Sequence, residues 1–259
     1  MFYQAGPPFL LLAFVVLLLV GLFVVLPVSL VAAAFGKLGL TGAQGLAVFL
    51  LTIIGSRYNI PLYRSTRLVR GQPAPASRLF GFSGQVGRLR FGRGPLGRGP
   101  LGFGQDDELT LSEQTVAVNV GGCVVPCLLS AWFVWHMQIA GVLGAWLALC
   151  VLISALACYL LARPMPGIGI GVPVLLPPAV AALTAILLAP DASLVPGHES
   201  LAPRAAYMAG ALGTLIGADL AHLLNRRTLA VLDAPLLSIG GAGTFDGIFL
   251  AGIIAVLLA

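Results

Sequence analysis

Charge is what this sequence has least of. Asp, Glu, Lys and Arg make up only 9% of its 259 residues, hydrophobic residues make up 59%, and mean hydropathy is +1.02. A soluble domain carries about a quarter charged residues, so the shortage excludes a soluble globular protein and points to an integral membrane protein. Cysteine stops at four, and Cys123, Cys127, Cys150 and Cys158 all fall inside apolar runs. That excludes a disulfide framework of the secreted kind and reads them as small packing residues. Cys123 and Cys127 are four apart, yet no His and no further Cys stands near them in sequence, so neither a metal nor another cofactor is expected. Basic residues are missing ahead of the first apolar run, residues 9–35. The run also exceeds the roughly 7–15 residues of a signal-peptide core, which makes it a retained transmembrane helix.

What the chain has instead is long apolar stretches. A membrane span needs about 20 such residues. Seven segments qualify, near 9–35, 38–55, 115–137, 139–162, 167–190, 205–224 and 236–259. The expected fold is therefore all-α, a polytopic transmembrane bundle of about seven spans. The fifth opens with Gly167, Gly169 and Gly171 and carries Pro173, Pro177 and Pro178, a composition that predicts a kinked or broken helix. Three parts follow: residues 1–64 with two spans, a flexible Arg/Gly-rich linker over 65–114, and a five-span core over 115–259.

The few charges are placed unevenly. Nine of the fourteen basic residues lie from Arg57 to Arg98, and Arg226 and Arg227 lie between the sixth and seventh spans. The positive-inside rule puts both loops, and with them the N-terminus, in the cytoplasm and the C-terminus outside the inner (cell) membrane. The linker, with its "GRGPLGRGPLG" repeat, has too little apolar surface to fold alone. Its juxtamembrane arginines suit the anionic lipid bilayer, the expected partner, rather than nucleic acid. His136 sits beside Trp132 and Trp135 as an aromatic-belt residue, and His198 lies in the outer loop.

Two carboxylates fall inside the spans. Asp219, in "GTLIGADLAHLLN", is about six residues from the cytoplasmic end of the sixth span, roughly 9 Å deep. Asp246, in "GTFDGIF", is about 15 Å in if the helix starts at Leu236. Intramembrane carboxylates are expensive and mark functional sites. Both approach from the same side on consecutive antiparallel spans. Gly213 and Gly217, and the stripe Gly243, Gly247 and Ala251, would let those spans close up. Two carboxylates held together in low dielectric share one proton and can act as base and acid toward a water attacking an amide. His222, three residues after Asp219, and Asn119 are candidate supports for a substrate or ion, together with Gly243 and Gly247. A structural role is the competing expectation, with the acids capping backbone or pairing with Asn59, Asn119 or His222.

The stretches "SIGGAGTFDGIFLAG" (238–252), "VNVGGCVVP" (118–126), "NIPL" (59–62) and "GADL" (217–220) resemble a prokaryotic multi-pass family known as domain of unknown function 1614. The resemblance implies a multi-span membrane fold. The chain is also loosely similar to presenilin-type intramembrane aspartyl proteases. Those place one catalytic Asp in a sixth span and a second in a G-x-G-D motif of a seventh, which implies roles for Asp219 and Asp246. Here Phe245 replaces the second glycine of that motif, Ala218 precedes Asp219 where those proteases have Tyr, and the P-A-L triplet is missing. Three functions stay open. They are an aspartyl hydrolase acting on a membrane-protein substrate, an ion- or proton-coupled transporter, and an accessory subunit that binds a membrane-protein partner.

Overall fold

The computed structural model describes residues 7–70, 109–165, 169–190, 200–225, 228–229, 232, 236–241 and 247–259. Helix α1 (Pro7–Val20) passes through a π turn, Gly21–Val25, into α2 (Leu26–Lys37), and α3 (Gly42–Gly55) follows. Thr41 starts α3 with a capping box: its hydroxyl accepts from the Gln44 amide, and the Gln44 side chain accepts from the Thr41 amide. Strands β1 (Asn59–Arg70) and β2 (Leu109–Asn119) form an antiparallel ribbon. A second π turn, Val120–Val124, leads into α4 (Val125–Ile139), then α5 (Ala145–Leu161). The short hairpin β3 (Arg163–Met165) and β4 (Gly169–Gly171) precedes α6 (Leu176–Leu188). Helix α7 (Ala202–Thr214) continues through a third π turn, Leu215–Leu220, into α8 (Ala221–Leu224). Strand β5 (Leu236–Ile239) and helix α9 (Gly247–Leu258) complete the order.

Among the described residues, three helices are long and apolar enough to cross a membrane: Phe14–Lys37, Val120–Ile139 and Ala202–Leu224. Four shorter apolar helices, α3, α5, α6 and α9, stand at the other segments expected as spans. The surface is that of a membrane protein, because α1, the π turn after it and α2 expose Leu17, Leu18, Leu22, Phe23, Val28 and Leu30 along their length. The most enclosed helix is α7, whose run from Ala205 to Ala211 is buried and made mostly of small residues. Small side chains let α5, α6 and α9 pack closely around it.

Three expected spans differ in detail. The third opens as strand β2, where Val116 and Val118 favour extended backbone before Asn119. The seventh opens as β5, which pairs in parallel with β2 to give the sheet order β1-β2-β5. The fifth does not kink at its prolines. Pro177 and Pro178 sit in the first turn of α6, where a missing amide costs nothing, and Gly169 and Gly171 ahead of them belong to β4.

The bundle has two distinguishable ends. At the far end, Lys37 donates to the carbonyls of Leu257 (3.2 Å) and Val256 (3.5 Å), and Arg204 Nε donates to Leu38 O at 3.0 Å. The start of α7 and the finish of α9 therefore meet at Lys37–Leu38, so these two helices run antiparallel. The near end holds the three-stranded sheet and the C-terminal part of the α7–α8 unit.

Candidate functional site

At the near end, α3, β1, β2, β5 and the π turn after α7 converge on a cluster of polar groups. Asn119 is its centre. Fully buried at the end of β2, it donates through Nδ2 to Ser56 O (2.8 Å) and to Asn59 Oδ1 (3.2 Å), while its own Oδ1 accepts from the Gly122 amide (2.7 Å). That last bond caps the Val120–Val124 π turn. Asn59 Oδ1 also accepts from the Ser238 hydroxyl at 2.7 Å, which ties β5 to β1 across the intervening strand. A carboxamide with both donors and an acceptor used satisfies buried backbone that would otherwise be orphaned.

Asp219 lies beside this cluster, in the π turn Leu215–Leu220. Such turns insert a residue into the helix and are frequent at functional sites. The carboxylate is partly buried, and its Oδ2 accepts from the Gly240 amide at 2.7 Å. Its described partner is thus a backbone N–H, not a cation. Gly240 is required where it stands. Its φ is +91°, and a Cβ there would lie 2.7 Å from Cys123 N and 2.8 Å from Cys123 Cβ, so β5 can turn toward Asp219 only because position 240 lacks a side chain.

The remaining expected site residues divide. Asn119 belongs to the cluster, but it pairs with Asn59 and not with Asp219. His222 is buried; its Nδ1 is 3.1 Å from Gly217 O, and its ring lies tilted by 43° against Tyr159 of α5, with 4.8 Å between ring centres. Gly247 begins α9, and among the described residues nothing stands within 4 Å of where its Cβ would be. Asp246 and Gly243 lie outside the described residues, as does His198. The 15 Å depth reckoned for Asp246 assumed a helix from Leu236, and β5 replaces that helix.

The small-residue stripes also act differently from expectation. Gly213 and Gly217 face α5, with Gly217 against the Ala155 backbone and Gly213 against Ser154, and do not face α9. The α7–α9 contact uses Gly210 against Ala251 and Ala255, and Gly252 against Tyr207. Continuing this antiparallel register brings Gly247 level with Leu215 and Ile216, the start of the π turn that carries Asp219 about one helical turn further on.

Sequence reasoning missed Ser56, Ser238 and Gly240, and no periodicity could have found them, because each acts through a single backbone or hydroxyl contact. The signal that existed was the short Gly- and Asn-containing stretches: residues 59–62, 118–126, 217–220 and 238–241 meet here in space. Among the described residues no three His, Cys, Asp or Glu side chains gather as metal ligands. A shallow groove of about 420 Å³ runs along α4 from Cys127 past Ser130 and Trp135 to Gln138, with Leu212 of α7 on its wall, and does not reach Asp219. No curated protein and no solved structure matches the chain. A family does: the chain belongs to the "Protein of unknown function (DUF1614)" family, which matches residues 53–258.

Proposed function

We propose that this chain is a seven-span inner-membrane protein that hydrolyses amide bonds of membrane-protein substrates with a carboxylate pair, Asp219 and Asp246. The observation that carries the reading is the 2.7 Å bond from the Gly240 amide to Asp219. It anchors the start of the 240–246 stretch at one acid. The α7–α9 register supports the same pairing, since Asp246 immediately precedes Gly247 in sequence and Gly247 is level with the start of the turn that carries Asp219. In the proposed reaction one ionised carboxylate takes a proton from water while the water oxygen attacks the amide carbon, and the other, protonated, gives its proton to the carbonyl oxygen. Collapse of the diol returns that second proton, the first goes to the departing nitrogen, and the C–N bond breaks. Asn119, His222, Gly243 and Gly247 support the site, and no cofactor is needed.

One observation favours a second reading. A single backbone amide on Asp219 is also what a structural tie would show, as expected of an accessory subunit. The deciding experiment places the purified chain in liposomes with a panel of single-span reporter proteins and follows cleavage by mass spectrometry. The hydrolase reading expects Asp219→Asn and Asp246→Asn each to abolish cleavage while the chain still folds. Cleavage unchanged by either substitution, or never seen with the intact chain, removes it. Reporter fusions test the orientation: residues 57–113 and the N-terminus are expected on the cytoplasmic side and the C-terminus outside. Labelling at residue 100 from the outside would reverse it.

A further inference from the structure

The ribbon between α3 and α4 carries a surface that the hydrolase reading does not use. Its first part reads Arg57-Tyr58-Asn59-Ile60-Pro61-Leu62-Tyr63-Arg64, an apolar centre with a Tyr–Arg pair at each end. Tyr58, Ile60, Leu62 and Tyr63 are each more than half exposed, and Arg57 and Arg64 are exposed as well. Simple alternation would send Tyr63 to the opposite face from Ile60. The pairing prevents this, because Ile60 stands opposite Val118, Pro61 opposite Ala117 and Tyr63 opposite Val116, so Leu62 is an extra, bulged residue. Leu62 and Tyr63 together face Val116, on the same side as Ile60 and Val118, and the bulge re-aims Tyr63 to extend one apolar and aromatic face. The Val120 amide donates to Tyr58 O at 3.0 Å, which continues the ladder and puts Tyr58 on that face too.

We infer that this face lies flat in the headgroup layer of an anionic bilayer, with Ile60 and Leu62 toward the acyl chains, Tyr58 and Tyr63 at the interface, and Arg57 and Arg64 on lipid phosphates. The ribbon leaves the bundle four residues after α3 ends at Gly55, which sets it at the level where a spanning helix meets water. Tyr at interfaces and Arg reaching to headgroups are the residues that depth selects. The basic charge matches anionic lipid. A second copy of the chain is the rival occupant, since β1 is a sheet edge. Pro61 removes an edge donor and the bulge interrupts the edge, both of which oppose strand-to-strand pairing.

The test uses the full chain in liposomes of phosphatidylcholine alone or with one-fifth phosphatidylglycerol, followed by native mass spectrometry of the lipid it retains. The expected result is enrichment of phosphatidylglycerol that falls about fivefold for each of Arg57→Gln and Arg64→Gln. Hydroxyl-radical footprinting supplies a readout on the unaltered chain, in which Tyr58 and Tyr63 are protected in liposomes and modified in short-chain detergent. Equal retention of both lipids by the wild type, or tyrosines modified equally in liposomes and detergent, overturns the inference. A dimer that Tyr63→Lys dissociates would assign the face to a second copy instead.

Discussion

The two ends of the bundle are closed by different chemistry. At the far end cations meet carbonyls: Lys37 reaches the last turn of α9, and Arg204 reaches Leu38 while its guanidinium lies 5.9 Å from the centre of the Phe133 ring. These are the usual partners of helix C-termini, whose free carbonyls and partial negative charge attract Lys and Arg. At the near end the helices are interrupted by π turns and strands, and the groups that join them are amides, hydroxyls and one carboxylate. Regular helices need only terminal caps. A junction of strands and π turns leaves amides and carbonyls scattered over several elements, and side chains such as Asn119 must collect them. The far end is therefore a closure, whereas the near end has the fixed, non-helical backbone on which a site can be built.

The largest break in this comparison comes from Gly217. A Cβ there would sit on the Ala155 carbonyl, a rigid backbone contact between α5 and the α7 extension. Gly217→Val should push those helices apart and cost about 3 kcal/mol or more, enough to lose folded protein in mild detergent. Size-exclusion profiles and thermal melts read it out. A well-folded Gly217→Val would mean that α5 and α7 are not held at this distance.

Asn119→Ala comes next. It strips the Gly122 amide and the Ser56 carbonyl of a buried partner at once, at about 1–3 kcal/mol for each, while Asn59 keeps the Ser238 hydroxyl. A loss of about 3 kcal/mol in thermal or denaturant unfolding is expected. Asn119→Asp should not rescue it, because the added carboxylate oxygen would face the Ser56 carbonyl where the amide now donates. A loss below about 1 kcal/mol would show that the near end does not depend on this cluster.

How far the sequence foretold these features depends on what each one rests on. The apolar segments were legible because hydropathy sums over many residues. The strands opening the third and seventh segments were not, since short apolar runs such as Val116–Val120 and Leu236–Ile239 suit helix or strand equally, and pairing decides, of the first with β1 and of the second with β2. Asp219 was legible as an outlier in an apolar span. Its bond to Gly240 was not, because it depends on β5 docking parallel to β2, a contact between positions more than a hundred residues apart. The GxxxG stripe was visible, yet its partner was misassigned to the seventh span. Small residues announce close approach without naming the helix that approaches.

Asp219 separates structure from chemistry. Asp219→Asn keeps an oxygen that can accept from Gly240, so stability should change by less than about 1 kcal/mol, while the proposed hydrolysis should be lost. Asp219→Ala orphans the amide and should cost about 1–2 kcal/mol more than the Asn variant, modest because the site is only partly buried. Parallel melts and cleavage assays on the two variants check both parts. If Asn and Ala are equally unstable, the Gly240 bond depends on the full charge of the carboxylate and the tie is electrostatic.

The smallest effect is expected at the far end. Lys37 donates at 3.2 and 3.5 Å to the last carbonyls of α9, and it does so from the solvent-facing rim. Interactions of a cation with a helix C-terminus are worth about 0.3–1 kcal/mol and are screened by salt. Lys37→Met retains the aliphatic stem and removes the charge, so it should lower stability by no more than about 1 kcal/mol, with the difference shrinking as salt rises from about 0.05 to 1 M. Neither Asp219 nor the Asn119 cluster touches Lys37, and any hydrolytic activity should be unchanged. If Lys37→Met instead destabilised the chain as much as Asn119→Ala, the asymmetry between the two ends would fail, and the far end would have to be counted as a second structural junction.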